Sequence, residues 1–396
     1  MRTMLIERNL ESRLSALSKR FPVVTVTGPR QSGKTTLCGM AFPDLPHLSL
    51  EAPDLQEYAR RDPRGLLREH NDGVVLDEVQ RVPELLSYIQ VDVDENPGMG
   101  RYILTGSANF GLLNEISQSL AGRTALLNLL PMSLDELRRF PDAPGNLNTL
   151  LVAGSYPAVF DRAIDPHDWY SSYVGTYLER DVKQISNVGN TIAFQTFIRL
   201  AAGRSASLVN LSALGADAGV SHNTAKSWLA VLETGFLIMR LPPFFANVRK
   251  RLVKTPKLHF VDSGLLCYLL GIRSAEQLAH HPLRGSIFES WVVSEIIKAR
   301  VHQGLPPDLF FYRDRRGTEI DAVLQRDASL MAVEVKSGQT IAADFFSGLE
   351  QFERIMCEDP LGRSVEAAVV YAGDQVQKRT GADVIPWSKV PEYEWS

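Results

Sequence analysis

Residues 28–35 read Gly28-Pro29-Arg30-Gln31-Ser32-Gly33-Lys34-Thr35 and fit the pattern G-x-x-x-x-G-K-[ST]. An apolar β-branched run, Val23-Val24-Thr25-Val26-Thr27, precedes them, and a helical stretch, Thr36-Leu37-Cys38-Gly39-Met40, follows. Strand, glycine loop and helix in that order predict a phosphate site. The glycines let backbone N–H groups converge on phosphate oxygens, and the helix N-terminus adds its partial positive charge. The candidate cradle runs through Gly28, Pro29, Arg30, Gln31, Ser32, Gly33, Lys34, Thr35 and Thr36. Lys34 is expected to reach the β- and γ-phosphates, and the Thr35 hydroxyl to hold Mg²⁺.

The chain has 396 residues, longer than one core commonly supports, so two or three domains are expected. Apolar residues make up 44% and charged residues 22%, the balance of a soluble globular protein. A net charge of −4 provides no global attraction to nucleic acid, so any such contact must rest on local patches. Cys38, Cys267 and Cys357 are far apart, without metal-ligand or disulfide spacing. With no apolar signal region at the N-terminus and no long apolar run, the expected location is cytoplasmic.

A second apolar strand, Val74-Val75-Leu76, ends in Asp77-Glu78, the Walker B form. Asp77 is expected to contact Mg²⁺ and Glu78 to polarise the water that attacks the γ-phosphate. A third strand, Arg101 to Asn109, carries Thr105 and Ser107 at its C-terminal end, where open α/β sheets bind ligands. Either residue is placed to sense the γ-phosphate or the water; a polar strand-to-helix cap is the alternative. Arg123, before the run Ala125 to Leu130, is a candidate sensor in cis, an arginine finger in trans, or a surface ion pair.

The series Gly-Pro-Arg-Gln-Ser-Gly-Lys-Thr-Thr, Leu-Asp-Glu-Val-Gln, Leu-Thr-Gly-Ser, Ala-Gly-Arg and Pro131-Met132-Ser133-Leu134-Asp135-Glu136-Leu137 resembles a family of prokaryotic AAA-type P-loop ATPases with an uncharacterised C-terminal domain. The resemblance implies an AAA-like core, ATP with Mg²⁺, and a preference for purine nucleotides. It implies no agreed substrate. It extends to a Tyr-Leu-Glu-Arg-Asp segment in which Arg180 bears on the nucleotide or on domain closure.

Between Leu151 and Arg204 the apolar spacing is helical, and Tyr170, Tyr173 and Tyr177 share one stripe, expected to pack in a core. Next comes a candidate helix-turn-helix: a short helix from Leu211 to Ala218, the turn Gly219-Val220-Ser221, and a helix from His222 to Glu233 with Ala225, Leu229 and Leu232 inward. Ser221 is the expected cap. Phe236 to Leu241 suits a wing strand, with Arg249-Lys250-Arg251 at its tip. In a DNA-reading module, His222, Asn223, Lys226 and Ser227 would face bases, and Arg249, Lys250, Arg251, Lys254 and Lys257 would face phosphates. The alternative is an interdomain lid.

Further on, a helix around Gly285 to Ile297 precedes strands at Leu309–Arg313, Glu319–Leu324, Leu330–Lys336 and Ala367–Ala372. Glu289, Asp321 and Glu334-Val335-Lys336 resemble the PD-(D/E)xK nuclease motif. Positions i and i+2 of a strand face one side, so Glu334 and Lys336 are expected to converge. Asp321, Glu334 and Glu289 would ligate Mg²⁺, and Lys336 would assist the attack of water on a phosphodiester.

The expected architecture is α/β: an AAA-like P-loop ATPase domain over 1–150, a helical region over 151–204, a winged-helix-like module over 205–250 and a nuclease-like α/β domain over 251–396. The expected function is Mg²⁺-dependent ATP hydrolysis coupled to domain rearrangement, acting on or near nucleic acid, with DNA or a protein as partner. Two rivals stand beside it, an ATP-dependent metal nuclease and an ATP-bound switch that does not hydrolyse. Oligomeric state is not legible.

Overall fold

Five short hydrophobic strands form the first sheet of the computed structural model, which describes residues 4–107, 118–178, 191–244, 255–326, 329–357, 361–379 and 381–395. They are β1 (Val23–Gly28), β2 (His47–Ser49), β3 (Val74–Asp77), β4 (Tyr102–Ser107) and β5 (Thr124–Asn128). All pair in parallel, in the order β2-β3-β4-β1-β5. A parallel sheet is covered on both faces, and every residue of β1 is buried. Alternation divides the strand between two cores. Val23 packs with Leu76, Leu104 and Ile89, while Val24 and Val26 pack with Leu37, Leu14 and Leu17. Each such side chain contributes about 1.5–3 kcal/mol on full burial. The sheet is thereby a rigid shelf, and β1, β3 and β4 all end at the same edge.

The chain then enters helices Leu147–Ala153, Pro157–Asp161 and Pro166–Tyr173. Tyr156, Trp169, Tyr170 and Tyr173 stack in their core, so Tyr170 and Tyr173 of the expected stripe are packing residues. The side chain of Tyr177, and all of Arg180, lie outside the described residues. Asp262 anchors this region from far along the chain. Its carboxylate accepts from the Tyr170 hydroxyl at 2.6 Å, from Ser155 N and Oγ at 2.7 and 2.8 Å, and from Leu265 N at 2.8 Å.

The helix-turn-helix is formed by helices Leu211–Asp217 and His222–Thr234. Ser221 Oγ accepts from Thr224 N at 3.1 Å, a cap that fixes where the second helix starts. Ala225, Leu229 and Leu232 are buried as expected, and Trp228 joins them against Phe194 and Phe197 of helix Thr191–Ala202. His222, Asn223, Lys226 and Ser227 are exposed along the other face. Beside the helices lies a three-stranded antiparallel sheet of β6 (Ser207–Leu208), β7 (Ile238–Leu241) and β8 (Lys257–Phe260), ordered β6-β8-β7. Because β8 follows residue 250, this sheet straddles the boundary expected there. Arg249, Lys250, Arg251 and Lys254 lie outside the described residues.

The last sheet holds β9 (Leu309–Arg313), β10 (Glu319–Gln325), β11 (Ser329–Lys336), β12 (Ser364–Tyr371), β13 (Gln377–Arg379) and β14 (Ala382–Pro386). Its order is β13-β14-β12-β11-β10-β9, with β11, β12 and β14 parallel and the remaining pairings antiparallel. Helix Arg284–Val301 covers one face, with Ile287, Phe288, Val292 and Ile296 buried, and helix Ser347–Met356 covers the other. Among the described residues no helix is long and apolar enough to cross a membrane.

Candidate functional site

The phosphate loop leaves β1 at Gly28, whose φ of 150° and tight contact with the Leu129 backbone leave no room for a Cβ. The loop turns through positive φ at Gln31 (59°) and Gly33 (94°) and enters helix Lys34–Ala41 with no side chain capping its N-terminus. Ser32 is buried, and its hydroxyl has no hydrogen-bond partner. A buried orphan hydroxyl is costly unless a ligand satisfies it, so the loop has the donors a phosphate group needs. Pro29 is buried, Arg30 half-buried, and Gln31, Thr35 and Thr36 are exposed around the mouth.

Lys34 lies 5% exposed and donates to the carbonyls of Pro29 at 2.8 Å and Gly28 at 3.3 Å. Burial draws its amine down to about 8, while Glu78 and Asp77 pull in the opposite direction. The ammonium therefore rests on weak neutral acceptors at the place where phosphate oxygens would be stronger ones.

Thr35 Oγ1 lies 3.0 Å from each Asp77 carboxylate oxygen, and Thr105 Oγ1 also donates to that carboxylate. Hydroxyl and carboxylate oxygens held side by side form the hard donor set that suits Mg²⁺. Glu78 adopts φ 56°, and its N–H points to Thr105 Oγ1 at 3.4 Å. A non-glycine residue in this region stores strain, which the surrounding contacts must hold. Gln80 supplies the hold: its Nε2 donates to Glu78 Oε2 and, at 2.9 Å, to Ser107 Oγ. The structure thus gathers Lys34, Thr35, Asp77, Glu78, Thr105 and Ser107 at one sheet edge.

Two further groups at this edge were not singled out from sequence. Gln80 sits two residues beyond Walker B, where its amide gives no periodic signal. Arg8 donates to Ser32 O at 2.6 Å and Leu130 O at 2.9 Å, and its Nε lies 3.0 Å from Glu136 Oε1. Beside the loop is a small cavity of about 70 Å³, bordered by Leu5, Ile6, Gly33, Thr36, Phe140 and Pro157.

Arg123 does not reach the loop. Its carbonyl accepts from Val23 N at 3.3 Å, at the start of β1, whereas the loop follows the end of that strand. Six residues of strand separate the two, roughly 16 Å. Its guanidinium forks onto Asp94 with both contacts at 2.7 Å. The cis-sensor expectation is corrected by this placement.

The second candidate set also converges, though in an unexpected state. Lys336 Nζ donates to Glu334 Oε2 at 2.6 Å, as the strand alternation requires, and Asp321 Oδ2 accepts from Val335 N at 2.9 Å. Glu289 approaches from helix Arg284–Val301. Between Glu289 and Asp321 stands the ammonium of Lys257, 3.1 and 3.4 Å away, with Glu319 at 2.5 Å. Lys257 is 2% exposed, so it is not one of the phosphate-facing side chains expected from sequence. Burial and the neighbouring Asp321 raise Glu289 well above the usual carboxylate range and Glu334 to about 7. Among the described residues no group of three or more His, Cys, Asp or Glu stands ready to hold a metal ion.

Comparison with known proteins places these features. A family model for the AAA domain matches residues 20–138, which contain the whole loop and Walker B edge. Two domains of unknown function, DUF8612 and DUF4143, match residues 145–276 and 284–390. The N-terminal part of the chain is an AAA-type P-loop ATPase domain. The chain belongs to the family of the uncharacterized proteins Rv2008c of Mycobacterium tuberculosis and Mb2031c of Mycobacterium bovis, each 30% identical over 344 residues, 85% of this chain and 75% of the relative. Solved structures overlap at lower likeness. The Walker-type ATPase PABY2304 of Pyrococcus abyssi has 16% identity and a TM-score of 0.47, over 67% of this chain and 96% of that one. A RuvB variant of Thermotoga maritima has 18% identity and a TM-score of 0.32, over 59% and 89%.

Proposed function

We propose that this chain hydrolyses ATP with Mg²⁺ and uses the cycle to shift its AAA domain against the helix-turn-helix and C-terminal modules, near nucleic acid. The observation that carries the reading is the meeting of Lys34, Thr35, Asp77 and Glu78 at one edge, with Gln80 bracing Glu78 against Ser107.

Each residue has a task that follows from its surroundings. Lys34 leaves the Gly28 and Pro29 carbonyls for phosphate oxygens, and the orphan Ser32 hydroxyl gains an acceptor. Thr35 and Asp77 are the residues that would hold Mg²⁺, whose charge would favour the phosphates of a bound nucleotide. Glu78 orients the attacking water, and Gln80 with Ser107 sets the direction of its carboxylate. Thr36 borders the small cavity beside Gly33, where Ile6 and Pro157 offer an apolar edge to the base and Arg8 and Asp161 a polar one. Coupling beyond the domain rests on Arg8, which joins the loop at Ser32 to Glu136. The segment around Glu136 is in turn bound to helix Arg284–Val301, since Glu295 accepts from Leu134 N at 2.8 Å and Lys298 donates to Met132 O at 2.9 Å. A change at Ser32 has a continuous polar route to the C-terminal module. The exposed row His222, Asn223, Lys226 and Ser227 supports nucleic acid as the partner.

ATP turnover by the purified full chain, with and without duplex DNA, tests the proposal. The Glu78→Gln variant is expected to bind ATP and to turn over about 10²–10⁴-fold more slowly. DNA is expected to stimulate the wild type, and Lys226→Glu to remove that stimulation. Wild-type turnover no faster than Glu78→Gln would instead establish an ATP-bound switch. Turnover indifferent to DNA would point to a protein partner.

A further inference from the structure

The C-terminal cluster has four carboxylates, on Glu289, Glu319, Asp321 and Glu334, and two lysines facing them. One lysine, Lys336, belongs to the motif. The other, Lys257, comes from β8 in a different sheet and enters the space between Glu289 and Asp321, the two groups expected to share a metal. Its ammonium also lies 5.8 Å from the centre of the Phe311 ring, which closes the apolar side. The Lys257 side chain is 3% exposed, against 15% for Glu289, 15% for Asp321 and 31% for Glu319, so the ammonium is the most buried member of the cluster it joins.

A divalent ion needs oxygen ligands in a shell it can share with water, at about 2.0–2.1 Å for Mg²⁺. Here the shell is already organised around an ammonium. Asp321 is further committed, because its second oxygen accepts from the Val335 backbone, and Glu334 is paired with Lys336. The rest of this face of β8 is seated on the same helix. His259, two residues along and therefore on the same side, meets Ser290 Oγ at 3.2 Å, next to Glu289 on the helix. Ser290 in turn contacts Ser205 Oγ at 2.8 Å, just before β6. Strand β8 is thus seated on helix Arg284–Val301 by one charged and one neutral contact in succession.

We propose that the acidic cluster is a socket for Lys257 and not a metal site: the ammonium of β8 stands where a nuclease would hold its ion. The C-terminal domain then fastens the helix-turn-helix unit to its own sheet and cleaves no phosphodiester. The resemblance to a nuclease motif survives in the residue types, while the cation they hold is supplied by the chain itself.

Mn²⁺ binding followed by electron paramagnetic resonance, on the full chain without nucleotide, tests this directly. Titrations of wild type and Asp321→Asn are expected to superimpose, and Lys257→Ala to gain a bound ion that is lost again in Lys257→Ala/Asp321→Asn. In parallel, plasmid DNA and single-stranded RNA incubated with ATP and Mg²⁺ or Mn²⁺ are expected to stay intact with the wild type and with Lys336→Ala alike. An Asp321-dependent Mn²⁺ site in the wild type overturns the proposal, as does cleavage that Lys336→Ala abolishes. A folded Lys257→Ala protein that takes up no Mn²⁺ overturns the equivalence of ammonium and ion. Should Lys257→Ala fail to fold, the wild-type and Asp321→Asn comparison decides alone. ATP turnover measured in the same samples keeps a failure of this inference distinct from a failure of the ATPase reading.

Discussion

The Arg8 guanidinium donates to the backbone oxygen of Ser32 at 2.6 Å, so a residue near the N-terminus holds the middle of the phosphate loop. The same side chain is paired with Glu136, which is completely buried. Burial would raise that carboxyl, but Arg8 and His302 outweigh it and hold it at about 2. Loss of Arg8 therefore leaves an uncompensated buried charge and a loosened loop. Arg8→Ala is expected to destabilise the protein by about 3–5 kcal/mol, read as a lower urea midpoint. The double variant Arg8→Met/Glu136→Gln should recover much of that loss without recovering ATP affinity. Equal recovery of both would show that Arg8 acts on stability alone.

Gln80 bears on the rate and not on binding, because it touches Glu78 and Ser107 but no loop residue. Gln80→Leu removes a bond to a charged group, an effect of about 1.5 kcal/mol. Turnover is expected to fall about tenfold with the ATP dissociation constant unchanged. A variant altered only in affinity would place Gln80 outside the reaction.

Lys34 makes ATP binding depend on pH in a defined direction. Its amine is lowered to about 8 in the free protein, chiefly by burial, and phosphate oxygens favour its charged form. Below that pH the ammonium is already present and affinity should be flat. Above it, binding must take up a proton, and the dissociation constant should rise by up to about tenfold per pH unit. Calorimetry between pH 7 and 9, in buffers of different ionisation enthalpy, measures both the trend and the proton. A flat profile would mean that Lys34 stays charged throughout.

Gly154 ends helix Leu147–Ala153 at φ 70°, and a Cβ there would overlap the Tyr170 hydroxyl and the Asp262 carboxylate. Gly154→Ala is expected to cost about 1–3 kcal/mol. Tyr170→Phe forfeits the 2.6 Å bond to Asp262, about 1.5–3 kcal/mol for a charged acceptor. Removing the hydroxyl also makes room for the methyl, so the double variant should lose less than the sum, as thermal unfolding of all four proteins would show. Strict additivity would mean that the methyl is accommodated elsewhere.

The local parts of this protein were legible in the chain. Strand, loop and helix around Gly28 to Thr35 are contiguous, and the Walker B strand announces itself by an apolar run that stops at Asp77-Glu78. The strand holding Glu334 and Lys336 was legible for the same reason, since alternation is a property of the backbone. The turn at Gly219 to Ser221 carried its own cap. Short strands with little apolar content, such as His47–Ser49 and Gln377–Arg379, left no comparable pattern, because their pairing and not their composition makes them strands.

What tertiary structure decided is which charge faces which. Arg123 has the residue type of a sensor, yet parallel pairing of β1 and β5 carries it to the far end of the sheet. Lys257 has the residue type of a phosphate contact, yet the seating of β8 on helix Arg284–Val301 turns it into an acidic socket. Arg8 and Ser32 are joined only when the N-terminal segment packs beside the loop. Sequence by itself determined the phosphate loop, its strand and its helix, because neighbouring residues suffice to define their backbone. The partners of Arg8 and Lys257 were settled by packing, since a buried ion pair depends on distant segments excluding water from the charged groups, while the exposed Arg123–Asp94 pair follows from where strand pairing leaves Arg123.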